Sequence, residues 1–439
     1  MRTEKDVKKD INKLVEEYFR LFLDKKRKDI PVSGKKYDSQ ELKYIVDAAL
    51  DGWWTEGRYT TEFEKKLAKY IGVKHAIVVN SGSSANLAAF TALTSPKLKE
   101  KRIRKGDEVI TVAAGFPTTV NPIIQAGCTP VFCDVEVETL DVDVKQLKNA
   151  LSKKTKAVFL AHTLGNPFNL DEVTRFCRKH DLWLLEDNCD ALGSEYKGKH
   201  TGSFGDIATY SFYPAHHITM GEGGALTTDD DLLAKIIRSI RDWGRDCWCR
   251  TGVDNSCGKR YDWKHGKLPF GYDHKYVYSE VGYNLKNTDL NAAIAVAQMD
   301  KLSGFIKVRE KNFKLLSKGL KKFEKTFILP KSEKDAKPSW FGYPLTLRKN
   351  CGFKREDILK ALNSKKIGTR LLFAGNITKQ PYFIENKVRY RVAGNLKNTD
   401  YIMENTFWIG VNPLVDKKGI NTVVACLEET LDSLSPVFK

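Results

Sequence analysis

From residue 75 onward, the chain alternates short apolar runs with longer segments whose apolar residues recur every three to four positions. HAIVV (75–79) has no polar residue after its histidine, which predicts a strand buried on both faces. NSGSS (80–84) then reads as a tight turn and ANLAAFTAL (85–93) as a helix. DEVITV, TPVFCDV, KAVFLAH, LWLLED and IATYSF repeat the theme, separated by helical stretches. The rhythm predicts a largely parallel sheet covered by helices. Upstream, Ile11, Leu14, Val15, Tyr18, Phe19 and Phe22 share one face of an amphipathic helix, and a second helix is predicted around 39–50. Downstream, a long amphipathic segment from about 289 to 325 leads to WFGYPLTL, REDILKALNSKK and IGTRLLF, read as strand, helix and strand. The predicted organisation is an N-terminal helical segment (1–58), a large domain (59–300) and a small C-terminal α/β domain (301–439).

Composition narrows the class. With 439 residues, 41% hydrophobic and 29% charged, the chain suits a globular protein with two or three cores. No apolar run approaches the roughly 18 residues that span a bilayer. The charged N-terminal stretch reads as a helix rather than a secretory leader, so a cytoplasmic location is expected. The formal charge of +18 raises nucleic-acid binding. Its lysines are scattered through helical segments without an arginine-rich arm, and an anionic small substrate or an acidic protein partner accounts for them better.

Nine cysteines in such a chain do not read as a disulfide framework. Cys128, Cys133, Cys177, Cys351 and Cys426 stand singly in apolar or helical contexts and read as packing residues. Cys247, Cys249 and Cys257 crowd into an insert of about 245–275 that is also rich in Gly, Asp and Arg. Such clustering indicates metal. Zinc, iron–sulfur and unliganded thiols are all open readings, because thiolate softness does not separate zinc from iron.

Four features suit one phosphate-bearing aromatic cofactor. Ser81, Gly82, Ser83 and Ser84 occupy a strand-to-helix turn, where small residues and a helix N-terminus favour a phosphate. Asp187 closes the strand LWLLED, on the face where parallel sheets bind ligands. Phe116 follows DEVITV and could stack on a planar ring, and Ser211 lies five residues before His216. SFYPAHHITMGEGG (211–224) reads as strand, turn and glycine-rich return, with His216 and His217 in the turn. Histidine titrates near neutrality and moves protons. Each feature also has a plain reading: a serine cap, an aspartate cap, a core phenylalanine, polar turn residues.

GWWTEGRYTTEFEKKLAKYIG (52–72), NSGSSAN, AGFPTTVNP, LLEDNCDALGS, SFYPAHHITMGEGG and GYNLKNTDLNAAIA (282–295) are similar, in order and spacing, to the fold-type-I pyridoxal phosphate superfamily. Within it they resemble the sugar aminotransferase and dehydratase branch, and most of all its 3-dehydrases that use pyridoxamine phosphate and an iron–sulfur cluster. The resemblance implies an α/β fold like that of aspartate aminotransferase. Its large domain would hold a mainly parallel, seven-stranded-type sheet, followed by a smaller α/β domain. It implies that Gly82, Ser83 and Ser211 bind phosphate, Phe116 stacks on the ring, and Asp187 partners the pyridine nitrogen. His216 matches the aminotransferase lysine and becomes the proton-transfer base, while Asp190 departs from the usual Gln or His.

Asn284 matches a residue that reaches the phosphate of the other subunit, implying a homodimer. The spacing C-x57-C-x-C-x7-C matches the [2Fe–2S] ligand pattern and implies Cys189, Cys247, Cys249 and Cys257 as ligands. Arg370, with Asn376 and Tyr382, resembles a segment beside the sugar site, and His217 is a further candidate substrate contact. The implied activity is C3 deoxygenation of a nucleotide-linked 4-keto-6-deoxyhexose, CDP-linked in the nearest group. This lies on the way to 3,6-dideoxysugars of the O-antigen kind. Electrons would come from a separate NAD(P)H-dependent flavin and iron–sulfur reductase. A cluster-free dehydratase regenerated by glutamate, an inactive aminotransferase-like scaffold and a nucleic-acid binder are the competing readings.

Overall fold

The computed structural model describes residues 2–25, 27–249 and 251–434. Seven strands follow the apolar runs: β1 His75–Val79, β2 Glu108–Val112, β3 Thr129–Cys133, β4 Thr155–Ala161, β5 Trp183–Asp187, β6 Ile207–Ser211 and β7 Gly224–Thr228. They form one sheet in the order β1-β7-β6-β5-β4-β2-β3, and the short strand Arg391–Val392 adds an eighth at the β3 edge. All are parallel except β7, which runs antiparallel to both neighbours. The glycine-rich return after His216 is therefore a strand in its own right. This is the fold-type-I architecture expected from the sequence.

Both faces of the sheet are buried, as a continuous apolar run requires. Ile77 and Val79 of β1 join Phe90, Phe159 and Leu185 on one face. Ala76 and Val78 join Phe63, Tyr210 and Phe212 on the other.

A second, four-stranded sheet has the order Phe327–Ile328, Gly342–Leu347, Thr406–Gly410, Thr369–Leu371. Ile30 bridges to Ile367 beside it, so the chain N-terminal to the large sheet also touches the C-terminal part. The long segment after 289 is two helices, Asp289–Met299 and Leu302–Leu320. They break at Asp300–Lys301, where the Lys301 ammonium turns to Asp38 and Glu41.

The first helix, Glu4–Tyr18, starts on a capping box at Thr3 and buries none of its residues within the chain; Leu14 and Tyr18 are exposed. No helix among the described residues is long and apolar enough to cross a membrane.

Candidate active site

The C-terminal ends of β1, β2, β4, β5 and β6 open into one cavity of about 820 Å³. Its walls include Gly82, Ser83, Phe116, Asp187, Cys189, Ser211, His216 and Arg370. The sequence motifs quoted above, far apart along the chain, thus meet at the edge where a parallel sheet leaves its crevice.

The phosphate-sized corner is built by close approach. Ser81 caps the helix Gly82–Leu93 and its Oγ accepts from the Ser84 N–H at 3.0 Å. A side chain at Gly82 would meet Ser211 Cβ at 2.5 Å and Cys189 Sγ at 3.1 Å. Only glycine lets the helix N-terminus, with its free N–H groups, come so near the end of β6. Ser83 is exposed at the mouth of the cavity.

Asp187 ends β5 and is buried. Its Oδ2 accepts from Asn86 Nδ2 at 2.8 Å and Thr119 Oγ1 at 2.7 Å, and its Oδ1 accepts from the Cys189 N–H at 3.1 Å. Asn86 is fixed in turn by Thr209 Oγ1, which donates to its Oδ1 at 2.6 Å. A carboxylate clamped this way keeps its direction, which pairing with a ring nitrogen requires. Neither Asn86 nor Thr119 was legible as functional in the sequence. Their only local signal is a polar residue on an otherwise apolar helix and a threonine near an N-terminus. Phe116 caps the helix Pro117–Gln125, is half exposed, and meets Phe373 edge-on with centroids 5.9 Å apart.

His216 enters the cavity opposite. Its carbonyl accepts from Arg309 Nη2 at 3.3 Å, and its ring lies 5.2 Å from that of Phe341. Nδ1 is buried and faces Asp190 Oδ1 at 3.4 Å, and the residue lines the cavity. Burial, then the Arg309 charge, lowers the imidazole to about 3, so the resting ring is neutral and able to take a proton. Burial, then Asp187, pushes Asp190 up to about 8.

Three expectations change here. His217 is no substrate contact: it is buried facing away from the cavity, and its Nε2 donates to the Ser339 carbonyl at 2.8 Å. Consecutive turn residues point apart, so adjacency to His216 carried no information. Asn376 and Tyr382 pack rather than face the cavity, bonding Asp400 and Asn121 respectively. Arg370 does face it and is exposed, its Nη1 donating to the Thr369 carbonyl.

The third change concerns the four cysteines, which line two cavities rather than one. Cys189 stands in the cofactor cavity against Gly82, its thiol raised well above the ordinary value by burial and then by Asp187. Cys247, Cys249 and Cys257 line a separate small cavity with Asp254, Asn255, Arg260, His274 and Lys275. The loop is tied at both ends of the Gly82–Leu93 helix: Lys97 reaches Asp246 at 3.2 Å and Ser95 donates to Glu280 at 2.6 Å past its C-terminus, while Thr251 donates to Glu56, whose partner Arg241 bonds the Val78 carbonyl near its N-terminus.

The loop nonetheless carries signs of ligand chemistry. Backbone N–H groups of Ser256 and Lys259 point at Cys249 Sγ (3.3 Å) and Cys257 Sγ (3.4 Å). Burial raises the Cys249 thiol, but hydrogen bonds from Ser256 outweigh it and hold the thiol lower. His274 is a residue the sequence reading missed. It is buried, with Nε2 on Asp246 Oδ2 at 3.0 Å and Nδ1 unpartnered, and one nitrogen or oxygen each of Asp246, His265 and His274 lies within 4.8 Å of the others.

Asn284 is exposed and outside the cavity of its own chain, accepting from Lys286 Nζ at 3.0 Å. Pyridoxamine phosphate fits the cavity: a glycine-walled helix end for its phosphate, a clamped carboxylate for its nitrogen, and an aromatic ring at the mouth. Of the four thiols matched to a [2Fe–2S] cluster, Cys247, Cys249 and Cys257 share the loop cavity and Cys189 lines the cofactor cavity.

Comparison with known proteins follows the geometry. The model of the DegT/DnrJ/EryC1/StrS aminotransferase family matches residues 35–428. The chain is 54% identical over 400 residues to the lipopolysaccharide biosynthesis protein RfbH of Salmonella typhimurium, covering 91% of each. It is 50% identical over 397 residues to the dTDP-4-dehydro-2,6-dideoxy-D-glucose 3-dehydratase of Saccharopolyspora spinosa, covering 90% of this chain and 85% of that one. Among solved structures, Escherichia coli GDP-4-keto-6-deoxy-D-mannose-3-dehydratase with bound hydrated PLP superposes with a TM-score of 0.82 at 31% identity. The match covers 91% of this chain and 99% of that one.

Proposed function

Because this chain belongs to the DegT/DnrJ/EryC1/StrS aminotransferase family, we propose that it is a pyridoxamine phosphate-dependent 3-dehydrase acting on a nucleotide-linked 4-keto-6-deoxyhexose. The carrying observation is His216 on the cavity wall, with no lysine among the described residues that line it. The named dehydratase relatives act on dTDP- and GDP-linked sugars. For this chain we propose the CDP-linked 4-keto-6-deoxy-D-glucose and a role in 3,6-dideoxysugar synthesis.

When bound, the cofactor supplies an amine for the 4-keto group and a protonated ring that takes up electrons as the C3 hydroxyl leaves. The residues do the rest. Gly82, Ser83 and Ser211 hold the phosphate, with Asn284 of a second protomer completing that corner of a homodimer. Asp187, held by Asn86 and Thr119, keeps the ring nitrogen protonated. His216 takes a proton at Nε2 from the carbon bearing the amine, and Phe116 covers the ring. Arg370 sits where it can meet the anionic substrate.

The cysteine loop belongs to the same reading as the site of an iron–sulfur centre, [2Fe–2S] by resemblance, fed by a separate reductase. The N–H groups aimed at Cys249 and Cys257 support it. The position of Cys189 favours the second reading, a dehydratase regenerated by glutamate without a cluster. Anaerobic protein assayed for iron, sulfide and visible absorbance decides between them, and water release from the nucleotide ketosugar with pyridoxamine phosphate tests both. Protein carrying the cofactor that never releases water refutes the function.

A further inference from the structure

The turn that carries His216 is fixed on every side except one. Arg309 bonds its carbonyl from behind, and also the carbonyls of Trp340 and Phe341. Phe341 lies against the ring, and its N–H donates to the Leu164 carbonyl at 2.8 Å. The backbone of the turn has little freedom left. What is not fixed by packing is which ring nitrogen carries the proton, and that choice decides whether Nε2 is a base or a donor.

The group facing Nδ1 is Asp190, and the chain spends strain to hold it there. The Leu164 N–H donates to the Asp190 carboxyl. Leu164 does so from a left-handed conformation (φ 52°, ψ 27°) while fully buried, a state that strains a non-glycine residue. Gly165 follows at φ 86°, where a Cβ would lie 2.1 Å from the Ser339 carbonyl oxygen and 3.0 Å from the Asp190 carbonyl oxygen. Two consecutive left-handed residues serve to press the turn after β4 against Asp190. The other groups facing the pair are Asp187 and the Cys189 carbonyl from the end of β5, His217 from the same turn, and Arg309 from the Leu302–Leu320 helix. His217 is already committed to Ser339.

We infer that Asp190 is the positioning residue of His216, its carboxyl accepting the Nδ1–H and so leaving Nε2 bare toward the cavity. The 3.4 Å separation is long for a hydrogen bond and closes with a small ring rotation, as contacts of this kind do when a site fills. The inference rests on the reading of His216 as the base and adds how that base is kept in the useful tautomer.

Nitrogen NMR of the cofactor-free protein, labelled with ¹⁵N-histidine and assigned with H216N, reads the tautomer directly. Wild-type His216 is expected with the proton on Nδ1. Asp190→Leu should shift it toward Nε2–H, and Asp190→Glu should restore it. If Asp190→Leu does not fold, Asp190→Asn serves, since its amide donates to Nδ1 and inverts the tautomer. With pyridoxamine phosphate bound, Asp190→Asn should slow hydrogen exchange at the amine-bearing carbon about 100-fold or more, with cofactor affinity within about threefold of wild type. An unchanged His216 tautomer in the Asp190 variants overturns the inference. Undiminished exchange in H216N instead overturns the reading of His216 as base, whatever its tautomer.

Discussion

The cofactor cavity and the cysteine loop solve the same problem, bringing distant side chains together, by opposite means. Every wall of the cavity hangs from the end of a strand or the start of a helix, and its polar groups are tied to second partners, as Asp187 is to Asn86 and Thr119. Among the described residues from Asp242 to Thr288, the chain forms no helix or strand beyond the single turn His274–Tyr276. Its shape depends on a few ion pairs, such as Arg260 with Asp273, and on the stacked rings of Trp263, His265 and His274. Trp248, Tyr261, Phe270 and Val281 remain exposed on it. A site on regular elements is set before anything binds, whereas a site on such a loop depends more on what it binds.

The sharpest way to break the comparison is at His216. His216→Asn should lower exchange at the amine-bearing carbon by a factor of about 100 to 10,000 while cofactor binding, followed by its absorbance, stays near wild type. Next, Gly82→Val should abolish cofactor binding without unfolding the chain, because the added methyls meet Ser211 and Cys189 where the phosphate corner lies. Equilibrium dialysis measures the first effect and circular dichroism the second.

In the loop, Cys249→Ser should remove bound iron and its visible absorbance yet leave pyridoxamine phosphate affinity unchanged, since the two sites are separate cavities. Coupled loss of both would erase the distinction drawn here.

Acidity offers a finer test. A histidine lowered to about 3 contributes no pH dependence above its unfolded value near 6.5, and it loses the fold about 1.4 kcal/mol for each unit below that. An aspartic acid raised to about 8 does the reverse, with stability falling as pH rises from about 4 to 8. The two slopes oppose each other below 6.5, and between 6.5 and 8 denaturant midpoints should fall with a slope that Asp190→Asn reduces, buried Asp141 acting in the same direction. The smallest effect expected is at the loop's anchor. Lys97→Ala should cost about 0.5 kcal/mol and speed proteolysis between 245 and 280, leaving the cavity untouched.

Strand positions were legible because an unbroken apolar run such as HAIVV has one stable use, and β1 occupies those five residues. Gly82, Ser83, Phe116, Asp187, Ser211 and His216 were found because their motifs sit at strand ends, and the sheet delivers those ends to one edge. What stayed hidden was created by tertiary contact. Asn86 and Thr119 acquire meaning only when β5 places Asp187 between them, and Asp190 only when the left-handed turn at Leu164 presses it toward His216. The cysteine spacing gave identities but not distances. Nothing in a count of intervening residues shows that Cys189 lines one cavity and the other three thiols another. The helix pattern at 289–325 likewise concealed its break, because a turn at Asp300 leaves the apolar period almost undisturbed.

The lysine-free wall has one more effect. A group resting between Asp187 and Phe116 is retained by reversible contacts alone, so dilution removes it and resupply restores it.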